Sequence, residues 1–121
     1  MIVDDKEDIR ELVKEGLEHI DKEYSVVSIC SGEDCVHSLK AEDPPDIILL
    51  DIMMPEMDGW NVFAVIKENP TWRNIPIIFL SAKSDPYSKG IGQMGADDYI
   101  EKPFSVKELK ERIEKVLQEK K

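Results

Sequence analysis

Apolar positions along this chain alternate between two periods, and the alternation predicts its architecture. Met1 to Val3 is a short apolar run, read as a strand. Lys6 to about Glu23 carries Ile9, Leu12, Val13, Leu17 and Ile20 at helical spacing, one apolar stripe on an otherwise charged helix. Tyr24 to Cys30 is rich in β-branched residues and reads as a second strand. Ser31 suits the N-cap of a helix running to about Lys40, with Asp34 as a weak capping-box partner and Val36 and Leu39 facing inward. Pro44-Pro45 breaks the chain, and Asp46 to Leu50 enters a third strand. Asp58 or Gly59 opens a helix whose inner face carries Val62, Phe63 and Ile66 and which Asn69-Pro70 stops.

Pro76 introduces Ile77-Ile78-Phe79-Leu80, a continuously apolar strand ending at Ser81. Ser84 to Met94 predicts a weak helix: Ile91 and Met94 are its anchors, and Gly90 and Gly92 each cost about 1 kcal/mol against Ala. Gly95 ends it. Tyr99-Ile100 is a short fifth strand, and Ser105, with Glu108 at the capping-box position, starts a last helix lined by Val106, Leu109, Ile113 and Val116. The order is βα five times. Strands three and four are apolar throughout, as expected of a sheet covered on both faces. The predicted fold is α/β, a doubly wound, five-stranded parallel sheet whose topology right-handed crossovers restrict strongly. No repeat, low-complexity tract or linker is visible, so residues 1–121 read as one domain.

Length and composition narrow the function. A chain of 121 residues with 41% hydrophobic and 35% charged residues suits one folded core rather than disorder. The formal net charge of -10 argues against direct nucleic-acid binding and against anionic membranes. No apolar stretch is long enough for a transmembrane helix and no leader precedes Asp4, so a cytoplasmic location is expected. Cys30, Cys35 and His37 cluster in sequence, but a metal site would need a fourth ligand and better spacing. Cys30 is expected to face the core from its strand. His19, among Glu18, Asp21 and Lys22, reads as a solvated helix residue.

The chemistry lies at the strand ends, where open α/β sheets bind ligands. Asp4 and Asp5 follow the first strand, Asp51 the third, Ser81 the fourth and Lys102 the fifth. Taken alone, the acidic pair or Ser81 suits a helix cap, and Lys102-Pro103 a surface turn. Together at successive strand ends they are hard to explain as caps. Three neighbouring carboxylates repel and need a counter-charge. Hard oxygen ligands favour magnesium, held by Asp5, Asp51 and a backbone carbonyl near Met53, with Asp4 in direct or outer contact. A cation, a lysine and a hydroxyl together suit a phosphoryl group, with an aspartate as nucleophile.

These residues resemble the receiver domain of response regulators in two-component signalling. The resemblance spans essentially the whole chain: Asp4-Asp5, Leu50-Asp51-Ile52-Met53-Met54-Pro55, Asp58-Gly59, Ser81-Ala82, Gly95-Ala96-Asp97-Asp98-Tyr99 and Lys102-Pro103-Phe104. It implies a flavodoxin-like sheet with strand order 2-1-3-4-5, Asp51 as phosphoacceptor, and Asp4, Asp5, Asp51 and the Met53 carbonyl as the Mg2+ site. It also implies Lys102 as the cation that pairs with the phosphoryl group, Ser81 and Tyr99 as switch residues, and a cis peptide before Pro103. The implied partners are a sensor histidine kinase or a phosphotransfer protein. An output domain, a partner or a phosphorylation-dependent homodimer would use the face of the Ser84–Met94 segment, the fifth strand and the last helix. The implied role is that of a phosphoacceptor that assists its own phosphorylation and dephosphorylation, not a turnover enzyme. Met53 and Lys83 occupy positions that vary in the family and tune phosphoryl loss. Apolar Met53 cannot position a water, so slow loss is expected. Only three residues precede Asp4, so the first strand is either short or missing its start.

Three alternatives come from other classes. An aspartate-nucleophile phosphatase would need an acid two residues after the nucleophile, where Met53 stands. A non-phosphorylated interaction module would lack one of the acids or the lysine. Flavodoxin-like cofactor binding finds no Gly/Ser/Thr-rich phosphate loop after the first strand.

Overall fold

Five parallel strands lie in the order β2-β1-β3-β4-β5. They are β1 (Ile2–Val3), β2 (Ser28–Ile29), β3 (Ile48–Asp51), β4 (Ile77–Ala82) and β5 (Asp98–Lys102). The helices are α1 (Glu7–Ile20), α2 (Gly32–Ala41), α3 (Gly59–Glu68) and α4 (Val106–Glu119). This computed structural model describes residues 1–41, 43–82 and 96–119. The helix predicted over Ser84–Met94, with Lys83 and Gly95 beside it, lies outside the described residues.

Alternation along the strands divides the core in two. Ile48, Leu50, Ile77 and Phe79 join Val62, Phe63 and Ile66 of α3 and Leu39 of α2 on one face. Ile2, Leu49, Ile78, Leu80 and Ile100 join Val13 and Leu17 of α1 and Leu109 and Ile113 of α4 on the other. Covering both faces explains why Ile48 to Leu50 of β3 and Ile77 to Leu80 of β4 are apolar at every step. Trp60 packs tilted on Phe79 at 4.8 Å between ring centroids, and Trp72 is buried.

The predicted caps form. Asp34 N–H donates to Ser31 Oγ, Asn61 N–H to the Asp58 carboxylate and Glu108 N–H to Ser105 Oγ. Asp34 does not reciprocate as a capping box; its carboxylate takes the Cys30 thiol at 3.3 Å.

Several boundaries differ from expectation. The helix predicted to Glu23 stops at Ile20, and the strand predicted over Tyr24–Cys30 is paired only at Ser28–Ile29. Val26, just ahead of β2, is held instead by α1: its N–H donates to Glu18 Oε2 and its carbonyl accepts from Lys14 Nζ. Cys30 therefore falls past the strand end and is exposed, contrary to its predicted inward orientation, whereas Cys35 is buried on α2. Leu12 and Ile20 point outward at 44% and 49% exposure, leaving Val13 and Leu17 as the buried stripe of α1.

Candidate functional site

The strand register builds the site. Ile2 pairs with Leu49, and both share a core layer with Ile100. Two residues further along each strand, on the same face by the two-residue period, stand Asp4, Asp51 and Lys102. The row that is apolar inside the sheet thus becomes polar at its carboxyl edge. Lys102 Nζ donates to Asp4 Oδ2 at 2.9 Å and to Asp51 Oδ1 at 3.2 Å. Asp4 and Asp51 are buried, and Lys102 is largely so. Asp5, beyond the strand, is exposed; oxygens of Asp4, Asp5 and Asp51 lie within 4.8 Å of one another.

Ser81 belongs to the opposite face, two residues after Phe79. It is buried, and its hydroxyl has no hydrogen-bond partner among the described residues. The same holds for Asp51 Oδ2. Buried polar atoms without partners are uncommon, because each forgoes the hydrogen bond it had in water. Two such atoms at one sheet edge are each able to take a hydrogen bond, and Asp51 Oδ2 a cation.

Burial pushes the Asp51 carboxyl up to about 6; the charge of Asp4 adds to the rise, while Lys102 and then Lys6 oppose it. For Lys102, burial pulls the ammonium down, but its hydrogen bonds and ion pairs with Asp4 and Asp51 outweigh this and raise it. The lysine stays charged and the aspartate is poised near neutrality.

The loop after β3 is tightly set. A Cβ at Gly59 would run into the Asp51 carbonyl oxygen and sit 2.8 Å from Ile52 Cα, so no other side chain fits without moving backbone. Gly59 N–H closes the loop onto the Ile52 carbonyl at 2.8 Å. Glu56, inside it, adopts φ 65°, a left-handed conformation rare for a side-chain-bearing residue and typical of constrained functional loops. Met53 is 53% exposed beside Asp51, and Tyr99 is 44% exposed on β5. The Lys102–Pro103 peptide is cis.

The residues predicted at the strand ends, Asp4, Asp5, Asp51 and Lys102, meet, and Ser81 comes to the same edge. Tyr99 lies back along β5, opposite Phe79. Among the described residues, these three aspartates are the group of His, Cys, Asp and Glu able to hold a metal; Cys30, Cys35 and His37 form no such group. The fit to a divalent cation is good: hard carboxylate oxygens, one of them buried and without a hydrogen-bond partner among the described residues.

Two basic residues went unnoticed in the sequence. Arg10 Nη1 donates to the Asp4 carbonyl at 2.8 Å. Lys6 N–H donates to Asp4 Oδ1 at 2.9 Å, and its Nζ lies 3.5 Å from Asp5 Oδ1. A lysine immediately after an acidic pair and at a helix start, where the dipole disfavours cations, was the available signal.

Comparison with known proteins agrees with this geometry. The family model of the response regulator receiver domain matches residues 1–114. The chain is 42% identical over 118 residues to the "Probable transcriptional regulator ycf27" of Guillardia theta, covering 97% of this chain and 44% of that protein. It is 36% identical over 110 residues to Protein PilG of Pseudomonas aeruginosa, covering 90% of this chain and 79% of that one. The N-terminal domain of a response regulator receiver protein from Methanoculleus marisnigri superposes with a TM-score of 0.74 at 40% identity, over 96% of this chain and 93% of that one. The chain spans 26% of the length of the Vibrio cholerae relative it matches and 44% of the Guillardia theta one. The chain belongs to the response regulator receiver domain family of two-component systems.

Proposed function

We propose that Asp51 accepts a phosphoryl group from a phosphohistidine on a sensor histidine kinase or phosphotransfer protein. The observation that carries this reading is the Asp51 carboxylate itself. It is buried, one oxygen is tied to Lys102 and the other has no hydrogen-bond partner among the described residues.

The proposed cation is Mg2+, held by Asp5, Asp51 and the Met53 carbonyl, with Asp4 in direct or outer contact. Bound there, it supplies positive charge against the transferring oxygens and keeps the carboxylates ionised. The chain does the rest. Asp51 Oδ2 attacks phosphorus in line; the O–P bond forms as the P–N bond to the donor imidazole breaks, and the electron pair leaves with that nitrogen. Lys102 Nζ, already beside Asp51, turns to the new phosphoryl oxygens, and Ser81 Oγ donates to another. Tyr99 moves inward as Ser81 turns, so the face of β5 and α4 changes for an output domain, a partner or a second copy. The domain thereby serves as a phosphoacceptor that assists its own modification.

Incubation with acetyl phosphate and Mg2+, followed by intact mass measurement, tests the reading. The wild type should gain one phosphoryl group and Asp51→Asn none. Steady release of phosphate from a phosphomonoester would favour the phosphatase alternative instead.

A further inference from the structure

Two lysines of different character face the three carboxylates of the site. Lys102 bridges Asp4 and Asp51 and is largely enclosed, with 16% of its side chain exposed. Among the described residues Lys6 forms an ion pair with Asp5, at 3.5 Å, and its side chain is 56% exposed. Each of the three carboxylates thus has an ammonium neighbour, but only the contact to Asp5 can open without uncovering a buried charge.

Lys6 is also a poor residue for its local position. It is the N-cap of α1, and its side chain makes no capping hydrogen bond. Asp, Asn, Ser or Thr would offer an acceptor there, and the positive end of the helix dipole disfavours an ammonium. The Asp4 carboxylate accepts the Lys6 N–H just ahead of the helix, and Ile9 N–H in the first turn donates to Asp8 instead. Helix formation therefore does not account for the lysine, whereas its position over Asp5 does.

We infer that Lys6 is a displaceable counter-ion of the acidic site: its ammonium occupies Asp5 when no divalent cation is bound, and must yield when one binds. Lys6 is a positioning and affinity-setting residue rather than a catalytic one. This rests on the reading that the cation binds at Asp5 and Asp51. A full positive charge beside a divalent ion, in the high dielectric of an exposed rim and at low salt, weakens binding by about three- to tenfold.

The test is titration of the whole chain with Mg2+ alone, followed calorimetrically at low ionic strength. Lys6→Gln should tighten Mg2+ about threefold or more, while Lys6→Arg stays near the wild type. Lys40→Gln removes the same charge from the exposed last turn of α2 and should leave the affinity near the wild type. A Lys6→Gln affinity equal to that of the wild type or of Lys40→Gln, or weaker than either, overturns the inference. A wild type that binds no Mg2+ overturns the functional reading itself, a distinct result.

Discussion

Lys102 Nζ sits 3.2 Å from Asp51 Oδ1, while Asp51 Oδ2, in the same carboxylate, is buried without a hydrogen-bond partner among the described residues. Half of the group is satisfied and half is held ready. This asymmetry has consequences for stability as well as for chemistry.

Ionised Asp51 should cost the metal-free fold stability. Its carboxyl is raised from 3.8 to about 6, so the folded state holds the proton more tightly than the unfolded chain. The stabilisation from that proton is full below pH 3.8 and lost as pH rises through about 6. Two units correspond to about 3 kcal/mol at most. Asp51→Asn should therefore be more stable than wild type at neutral pH without Mg2+, by about 1–3 kcal/mol. The gap should shrink toward pH 4 and on adding Mg2+. Urea denaturation of both proteins across this range would show it; a gap that widens toward acid would contradict it.

Removing Lys102 should do the opposite. Lys102→Met leaves Asp4 and Asp51 buried with no ammonium between them, a loss of about 3 kcal/mol for a broken buried pair. Part should return in the double variant with Asp51→Asn, because one charge then disappears. Additive effects in that double-mutant cycle would show that the two residues do not interact.

Gly59→Ala should destabilise by about 1–3 kcal/mol, the usual range for forcing an extra methyl into a packed site. The new methyl meets the backbone of Asp51 and Ile52 rather than a movable side chain. Thermal melting and the rate of acetyl phosphate labelling should both fall, since the displaced backbone carries the acceptor. An unchanged labelling rate would separate the loop from the site.

Met53 should make phosphoryl loss slow. It is exposed beside Asp51 and has no group that can hold a water by hydrogen bonding. Met53→Asn should shorten the lifetime of the phosphorylated protein in Mg2+ buffer. A wild-type lifetime of only seconds would count against this account.

The two cysteines should differ in reactivity. Burial pushes the Cys35 thiol up to about 11, whereas Cys30 is exposed. In the native protein iodoacetamide should modify Cys30 and spare Cys35. Equal labelling would show that α2 opens readily.

Much of this was legible in the sequence, for physical reasons. β3 and β4 are covered on both faces, so Ile48 to Leu50 and Ile77 to Leu80 are apolar throughout and the strands are plain. Asp4, Asp51 and Lys102 each stand two residues beyond a core isoleucine or leucine, so the strand period alone places them in one row. The edge was less legible. Tyr24 to Val27 have strand composition, yet Glu18 and Lys14 hold Val26 from the helix side, a tertiary contact no local pattern reveals. Periodicity also could not show that Leu12 and Ile20 point outward, since their spacing suits either edge of the stripe. Arg10 acts through the main-chain carbonyl of Asp4, and a side chain that reads backbone leaves no motif.

The most direct test of the central claim is to locate the phosphoryl group. After treatment with acetyl phosphate and Mg2+, borohydride reduces an aspartyl phosphate to homoserine, and peptide mass spectrometry identifies the altered residue. Conversion at Asp51, dependent on Mg2+, is the predicted result. Conversion at another carboxylate, or persistent phosphorylation in Asp51→Asn, would contradict it.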